Sequence, residues 1–187
     1  MAEAQIRTAP TLGDFPAIAS RLIQTKKTFK WTLLFIPAMA VWQTPLFLSP
    51  FDPFLSVLGA GMIAYFAGLF GGAYYYHSKR LSQVNNALPQ MSVPRIEGGF
   101  GWCIVRQKYS APAERVGHAL EHHLRAISGD VVKDSQSKHY VATGAGNVAE
   151  ANIYGMRDGG TGLDAFVFGW NARNKGDDLL SRLESLR

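Results

Sequence analysis

The sequence has one cysteine, Cys103, so no disulfide can form within the chain, which suits a reducing compartment. It also lacks Lys, Arg and Glu over two long runs, Trp31 to Phe51 and Pro53 to Ser78, separated only by Asp52. No Ser-His-Asp, paired-carboxylate or phosphate-cradle spacing stands out, and there is no internal repeat or low-complexity tract. The missing charge argues against a wholly water-soluble chain. The missing constellations leave no catalytic activity to name.

Each uncharged run reaches the roughly 20 apolar residues that cross about 30 Å of hydrocarbon at 1.5 Å per residue. The stretch from Trp31 to His77 therefore reads as a transmembrane helical hairpin. Mean hydropathy over the whole chain is -0.02, an average of this apolar third and a polar remainder. The net charge of +5 is unevenly placed. Arg21, Lys26, Lys27 and Lys30 precede the first run, Lys79 and Arg80 follow the second, and the turn Ser49-Pro50-Phe51-Asp52-Pro53 has no basic residue. By the positive-inside rule both termini face the cytoplasm. A multi-pass protein of a bacterial inner membrane is the expectation, ahead of an organellar inner membrane. The basic residues then meet anionic headgroups, and membrane lipids rather than nucleic acid are the expected partners. Ala38-Met39-Ala40 imitates a signal-peptidase site, but the apolar run before it is too short and the leader too long.

Four parts follow along the chain. Residues 1–30 form an N-terminal segment, unstructured to Pro10 and then an amphipathic helix with Phe15, Ile18 and Leu22 on one side, which reads as interfacial or, equally, as packed on the chain's own folded domain. Residues 31–78 form the hairpin, whose first helix is expected to kink at Pro37 and Pro45. Residues 79–99 carry the helix end, stopped at Pro89, and a linker from Gln90 to Gly99. Residues 100–187 form a small α+β cytoplasmic domain in the order strand, helix, antiparallel strands, helix.

Within that domain, Phe100 to Tyr109 is aromatic and β-branched enough for a strand. Pro112 opens a helix to Ser128 with a stripe of Val116, Leu120, Leu124 and Ile127, and Gly129 ends it. His139 to Thr143, Ala151 to Met156 and Leu163 to Trp170 read as strands, the last two joined by a hairpin over Asp158 to Gly162. Asp177 is placed to cap a final helix bearing Leu179, Leu180, Leu183 and Leu186.

The most specific pattern lies in the second run, where Ala60, Ala64, Gly68 and Gly72 recur every fourth residue, flanked by Gly61 and Gly71. Small residues at this interval let another helix backbone approach closely. The partner is either the first run of the same chain, or a second copy or another membrane subunit. Trp31 near one interface and Tyr74, Tyr75, Tyr76, Lys79 and Arg80 at the cytoplasmic end read as interfacial anchors.

Two weaker patterns invite chemistry. Gly144-Ala145-Gly146-Asn147-Val148-Ala149 has the G-x-G-x-x-A form of a dinucleotide turn, with Asp164 as a candidate ribose contact, but a glycine-rich turn follows too soon for a crossover helix. His118, His122 and His123, with Glu121, crowd one helix; His118 and His122 at i, i+4 could hold a metal only if a third ligand such as His139 or Cys103 came near. A glycine-rich loop and a solvated helix flank are the simpler accounts, and Cys103 reads as an inert core thiol. No cofactor, metal or catalytic residue is assigned. The expectation is a non-enzymatic accessory subunit or assembly factor of a larger inner-membrane complex, acting through protein–protein interaction. The alternative is a membrane-tethered ligand sensor or enzyme using the 144–149 loop or the histidine helix.

Overall fold

The computed structural model describes residues 10–47, 53–90, 95–134, 136, 138–144, 146–156 and 158–187. Two compact units result, one from Met1–Ser20 with Val84–Arg187 and the other from Arg21–Gln83. Residues 1–9, the turn from Ser49 to Asp52, Ala145 and the side chain of Ile127 lie outside the description.

The second unit is built from two long helices. α1 (Pro16–Phe47) begins in the first unit and continues here, and α2 (Pro53–Ala87) follows. α1 stays helical across both Pro37 and Pro45. Phe29 of α1 stacks on His77 of α2, with ring centroids 5.0 Å apart. Among the described residues one helix, over Ser56–Ala87, is long and apolar enough to cross a membrane by length and composition. In α1 the described apolar stretch opens directly after Lys30 and closes at Phe47, which leaves it shorter.

The first unit contains a six-stranded, wholly antiparallel sheet. Its strands are β1 (Arg95–Gly99), β2 (Trp102–Tyr109), β3 (Asp130–Asp134), β4 (His139–Gly144), β5 (Asn147–Gly155) and β6 (Thr161–Phe168), in spatial order β1-β2-β6-β5-β4-β3. α3 (Ala113–Ser128) joins β2 to β3 and lies over β4 and β5; α4 (Ala172–Leu183) follows β6 and lies over β2 and β6. The α+β expectation for this part of the chain is met. Two edge strands go beyond it: β1 occupies the end of the segment read as a linker, and β3 has charged or exposed positions that conceal its pattern. Their brevity and charge protect the sheet's margins.

Strand alternation sorts the side chains by face. Cys103, Val105, Tyr140, Ala142, Ala149, Ala151, Ile153, Leu163, Ala165 and Val167 point to the helices, where they join Val116, Leu120, Leu124, Leu179, Leu183 and Leu186 in one core. The opposite face is covered too. Phe15 and Ile18, just before and inside the first turn of α1, have no exposed surface, and Phe15 meets Phe166 edge to face at 5.5 Å. The segment read as an interfacial helix thus starts as part of the folded domain, because its apolar side chains find a sheet face to bury against.

Asp177 does not cap the last helix. α4 begins at Ala172, five residues earlier, after Asn171 in a left-handed conformation at φ 56°, so Asp177 lies inside the helix and pairs with Arg173 at 3.3 Å. The Cys103 thiol is enclosed under α4, and burial pushes its pKa up to about 12. A Cβ at Gly176 would fall 2.5 Å from Cys103 Sγ, so the helix approaches β2 closely only because that position is glycine. Gly176→Ala is expected to destabilise the wild-type domain by about 1–3 kcal/mol through overpacking. In a Cys103→Ala background it should be neutral or stabilising, since alanine is the better helix former. Equal effects in both backgrounds, measured by urea denaturation, would refute the contact.

Candidate functional site

The most unusual chemistry in the domain is a polar row on the sheet face away from α3 and α4. Arg95, Arg106, Asp164, Asn152, His139 and Asp134 are consecutive cross-strand partners through all six strands. Two residues back along β5 from Asn152, Glu150 points the same way, with no exposed surface. Alternation places these side chains together; the sequence alone does not show that the face is covered.

α1 starts at Pro16, where the missing N–H is harmless, but Phe15 before it has no side chain able to cap the next donors. Glu150 supplies the cap from a distant strand. Its Oε1 accepts the Ala17 N–H at 3.2 Å and its Oε2 the Ile18 N–H at 2.9 Å. A carboxylate there also meets the positive end of the helix dipole. His139 closes the network: its Nε2 lies 2.9 Å from Glu150 Oε1 and its Nδ1 lies 2.7 Å from Asn152 Oδ1. Asn152 Nδ2 donates to the Asp14 carbonyl at 2.8 Å, which orients the amide and leaves Oδ1 toward the ring.

That orientation gives the ring its roles: His139 Nδ1 donates to Asn152 Oδ1, and Nε2 is turned to Glu150 Oε1. Burial raises the Glu150 pKa, while the Ile18 and Ala17 amides and His139 pull it back. The network holds a helix end; it presents no exposed nucleophile.

A second group continues the row. Arg106 Nε lies 3.1 Å from Asp164 Oδ1, which also accepts the Tyr154 hydroxyl at 3.2 Å. Burial raises the tyrosine's pKa, and the Asp164 charge adds to it. The Tyr154 ring lies against Gly162, where a Cβ would come within 2.2 Å of it. Asp164 is therefore the counter-ion of a buried arginine rather than a ribose contact at a strand end.

The other sequence candidates are dispersed. Gly144 ends β4 and Asn147 begins β5, paired with each other across a tight turn in which Gly146 has φ 77°. The G-x-G-x-x-A string is thus a β-hairpin, without the strand-to-helix turn that a pyrophosphate needs. His118 and His122 are exposed on α3, His139 is on the opposite sheet face and Cys103 is under α4. Among the described residues no three His, Cys, Asp or Glu side chains are grouped to hold a metal. Glu121 instead pairs with Arg125 at 2.8 Å.

On α2, Ala60, Ala64, Gly68 and Gly72 are all exposed, and a Cβ built at Gly61, Gly68, Gly71 or Gly72 meets nothing within 4 Å. Among the described residues, then, α1 does not fill the strip. Trp31, Tyr75 and Lys79 are exposed and Tyr74 and Tyr76 half-buried. Arg80 folds back, donating to the Tyr76 hydroxyl at 2.7 Å with its guanidinium 4.6 Å over that ring. Comparison with protein-family models, curated proteins and solved structures finds no match. Function has to be read from these residues.

Sequence reasoning passed over Glu150, Asn152 and the structural role of His139. The available signal was a carboxylate and an amide at alternate positions of the apolar run Val148 to Ile153. Because the folded-state pKa of Glu150 lies above its unfolded value of 4.5, the folded state binds the proton more tightly. The linked stability is present at low pH and is lost as pH rises from 4.5 through the raised value. Glu150→Gln should flatten that decline, and Glu150→Ala, which strips both amides and His139 of their partner, should cost about 3 kcal/mol. Urea midpoints across a pH series check both; a Gln variant with the wild-type slope would show that Glu150 does not titrate there.

Proposed function

We propose that the chain is a non-enzymatic accessory subunit or assembly factor of a larger inner-membrane protein complex. In this reading α1 and α2 form a transmembrane hairpin with both termini on the cytoplasmic side, and the α+β domain meets a cytoplasmic surface. The observation that carries it is the state of α2: of its most apolar window, only 6% is buried inside the structure. Phe54, Val57, Leu58, Met62, Tyr65 and Leu69 are exposed large apolar side chains along this helix. Water would disfavour such a surface, whereas hydrocarbon and a partner helix accommodate it. The exposed strip Ala60, Ala64, Gly68 and Gly72 supports a partner from outside the chain, either a second copy or another membrane subunit. Membrane lipids cover the rest. Lys26, Lys27, Lys79 and Arg80 support the orientation, and a bacterial membrane is favoured over an organellar one.

Gly68→Leu places a side chain where the partner backbone would lie, so association should weaken by about 1–3 kcal/mol while insertion persists. Met62→Leu, on the far side of α2, is the control. Co-purification of Gly68→Leu with the same partners in the same stoichiometry as wild type would remove the basis for the docking role. Topology has a separate check. A cysteine at Ser49 is expected to react with an impermeant thiol reagent added outside intact cells and one at Ser110 to be protected; reaction at Ser110 would reverse the orientation.

A further inference from the structure

Two faces of α2 carry the same spacing, and only one of them is used within the chain. Ile63, Phe66, Phe70, Ala73 and His77 are half-buried and recur at intervals of three and four, ending at the ring that stacks on Phe29, so this face turns to α1. Leu58, Gly61, Tyr65, Gly68, Gly72 and Tyr75 recur at the same intervals and are all exposed. Gly68 lies nine residues before His77, about two and a half turns, which sets the second series on the opposite side of the helix. An average interval of about 3.5 residues suits left-handed packing of two helices along their length.

The exposed series alternates rings and gaps. Over Gly61 lies a groove of about 530 Å³ walled by Phe54, Val57, Leu58 and Tyr65, and a Cβ at Gly61 would meet nothing within 4 Å. Tyr65 is 65% exposed. It stands twelve residues into the uncharged run Pro53 to Ser78 and thirteen before its end, so in the membrane reading it sits near the bilayer centre, roughly 18 Å from either end of the run at 1.5 Å per residue. Tyrosine is favoured at the interfaces, where water meets its hydroxyl; at mid-span that hydroxyl needs an acceptor from protein. Among the described residues Tyr65 contacts the Phe66 ring and its hydroxyl has no hydrogen bond.

Ring and gap are matched within one chain. A long helical side chain leans back over the preceding turn, which brings the Tyr65 ring to the level of Gly61. The missing Cβ at Gly61 uncovers backbone carbonyls, and a carbonyl already bonded in the helix keeps a second lone pair. We propose that a second copy of the chain docks on this face, the two α2 helices running parallel about a two-fold axis, with each Tyr65 ring in the groove over Gly61 of the other copy and its hydroxyl donating to a carbonyl of that turn. A two-fold axis makes the match twice, and parallel helices keep both copies in the one orientation that the basic residues favour. This rests on the membrane reading above and names the second copy as the partner there.

The test uses full chains reconstituted in phosphatidylcholine vesicles and labelled with donor or acceptor dye through Thr28→Cys, an exposed position of α1; Cys103 is buried and leaves the dye to the added thiol. Energy transfer between copies is expected to persist as lipid dilutes the protein. Tyr65→Phe, which removes only the hydroxyl, should weaken association severalfold, and Gly61→Leu, which fills the groove, at least as much. Both new side chains are favourable in hydrocarbon, so the variants should still resist carbonate extraction. Under oxidation Gly68→Cys should cross-link between copies, and Ile63→Cys, on the face turned to α1, should not. Energy transfer unchanged in either variant, or cross-linking through position 63 rather than 68, would show that the copies meet elsewhere and overturn the proposal. A wild-type chain that resists carbonate yet shows no transfer would overturn the second copy and leave the membrane reading standing, with a different subunit as partner. Extraction of the wild-type chain by carbonate would overturn the membrane reading itself and the pairing with it.

Discussion

A carboxylate with no exposed surface, on a covered sheet face, has to be matched by donors. Glu150 finds them in the first turn of α1 and in His139. Leaving it unmatched would cost several kcal/mol, so the N-terminal segment and the sheet are bound by more than the burial of Phe15 and Ile18. The same contact solves a second problem. A helix that opens Phe15-Pro16-Ala17-Ile18 has no side chain of its own to satisfy its first amides, and the sheet provides the acceptor.

The consequence is that the folded domain is discontinuous in sequence. Its sheet is drawn entirely from Arg95 onward, yet it is completed by Phe15 and the first turn of α1. Both faces of the central strands β5 and β6 are covered, which explains why these strands are buried along most of their length instead of alternating. The polar row Arg106, Asp164, Asn152 and His139 fits such an environment only because each member has a charged or hydrogen-bonding neighbour on the next strand or on the N-terminal segment. The exposed i,i+4 pairs, Glu121–Arg125 on α3 and Arg173–Asp177 and Arg182–Asp178 on α4, are of small energetic weight.

Much of the domain was legible because local signals agreed with one another. Pro112, the Val116, Leu120 and Leu124 stripe and Gly129 mark α3 at both ends, and the glycines of Asp158 to Gly162 mark the β5–β6 hairpin. Where a local signal competed with the tertiary structure, it failed. Asp177 looks like a cap, but α4 extends a turn and a half further back, where Ala172 and Gly176 can bury against β2 and β6. β1 and β3 escape notice because an edge strand needs few apolar residues. The glycine string at 144–149 imitates a phosphate loop because tight hairpins and phosphate cradles both call for glycine, and only the strand pairing separates them.

From the sequence by itself came the α+β class of the C-terminal part, the apolar length of α2 and the distribution of positive charge around it, because each depends on composition and period along a contiguous segment. The tertiary structure alone decided that Glu150 caps α1, that His139 lies against that buried carboxylate, and that the Ala60 to Gly72 strip is left open. These depend on which residues meet across a sheet or between segments more than a hundred residues apart. Neither helical period nor strand alternation records such a meeting.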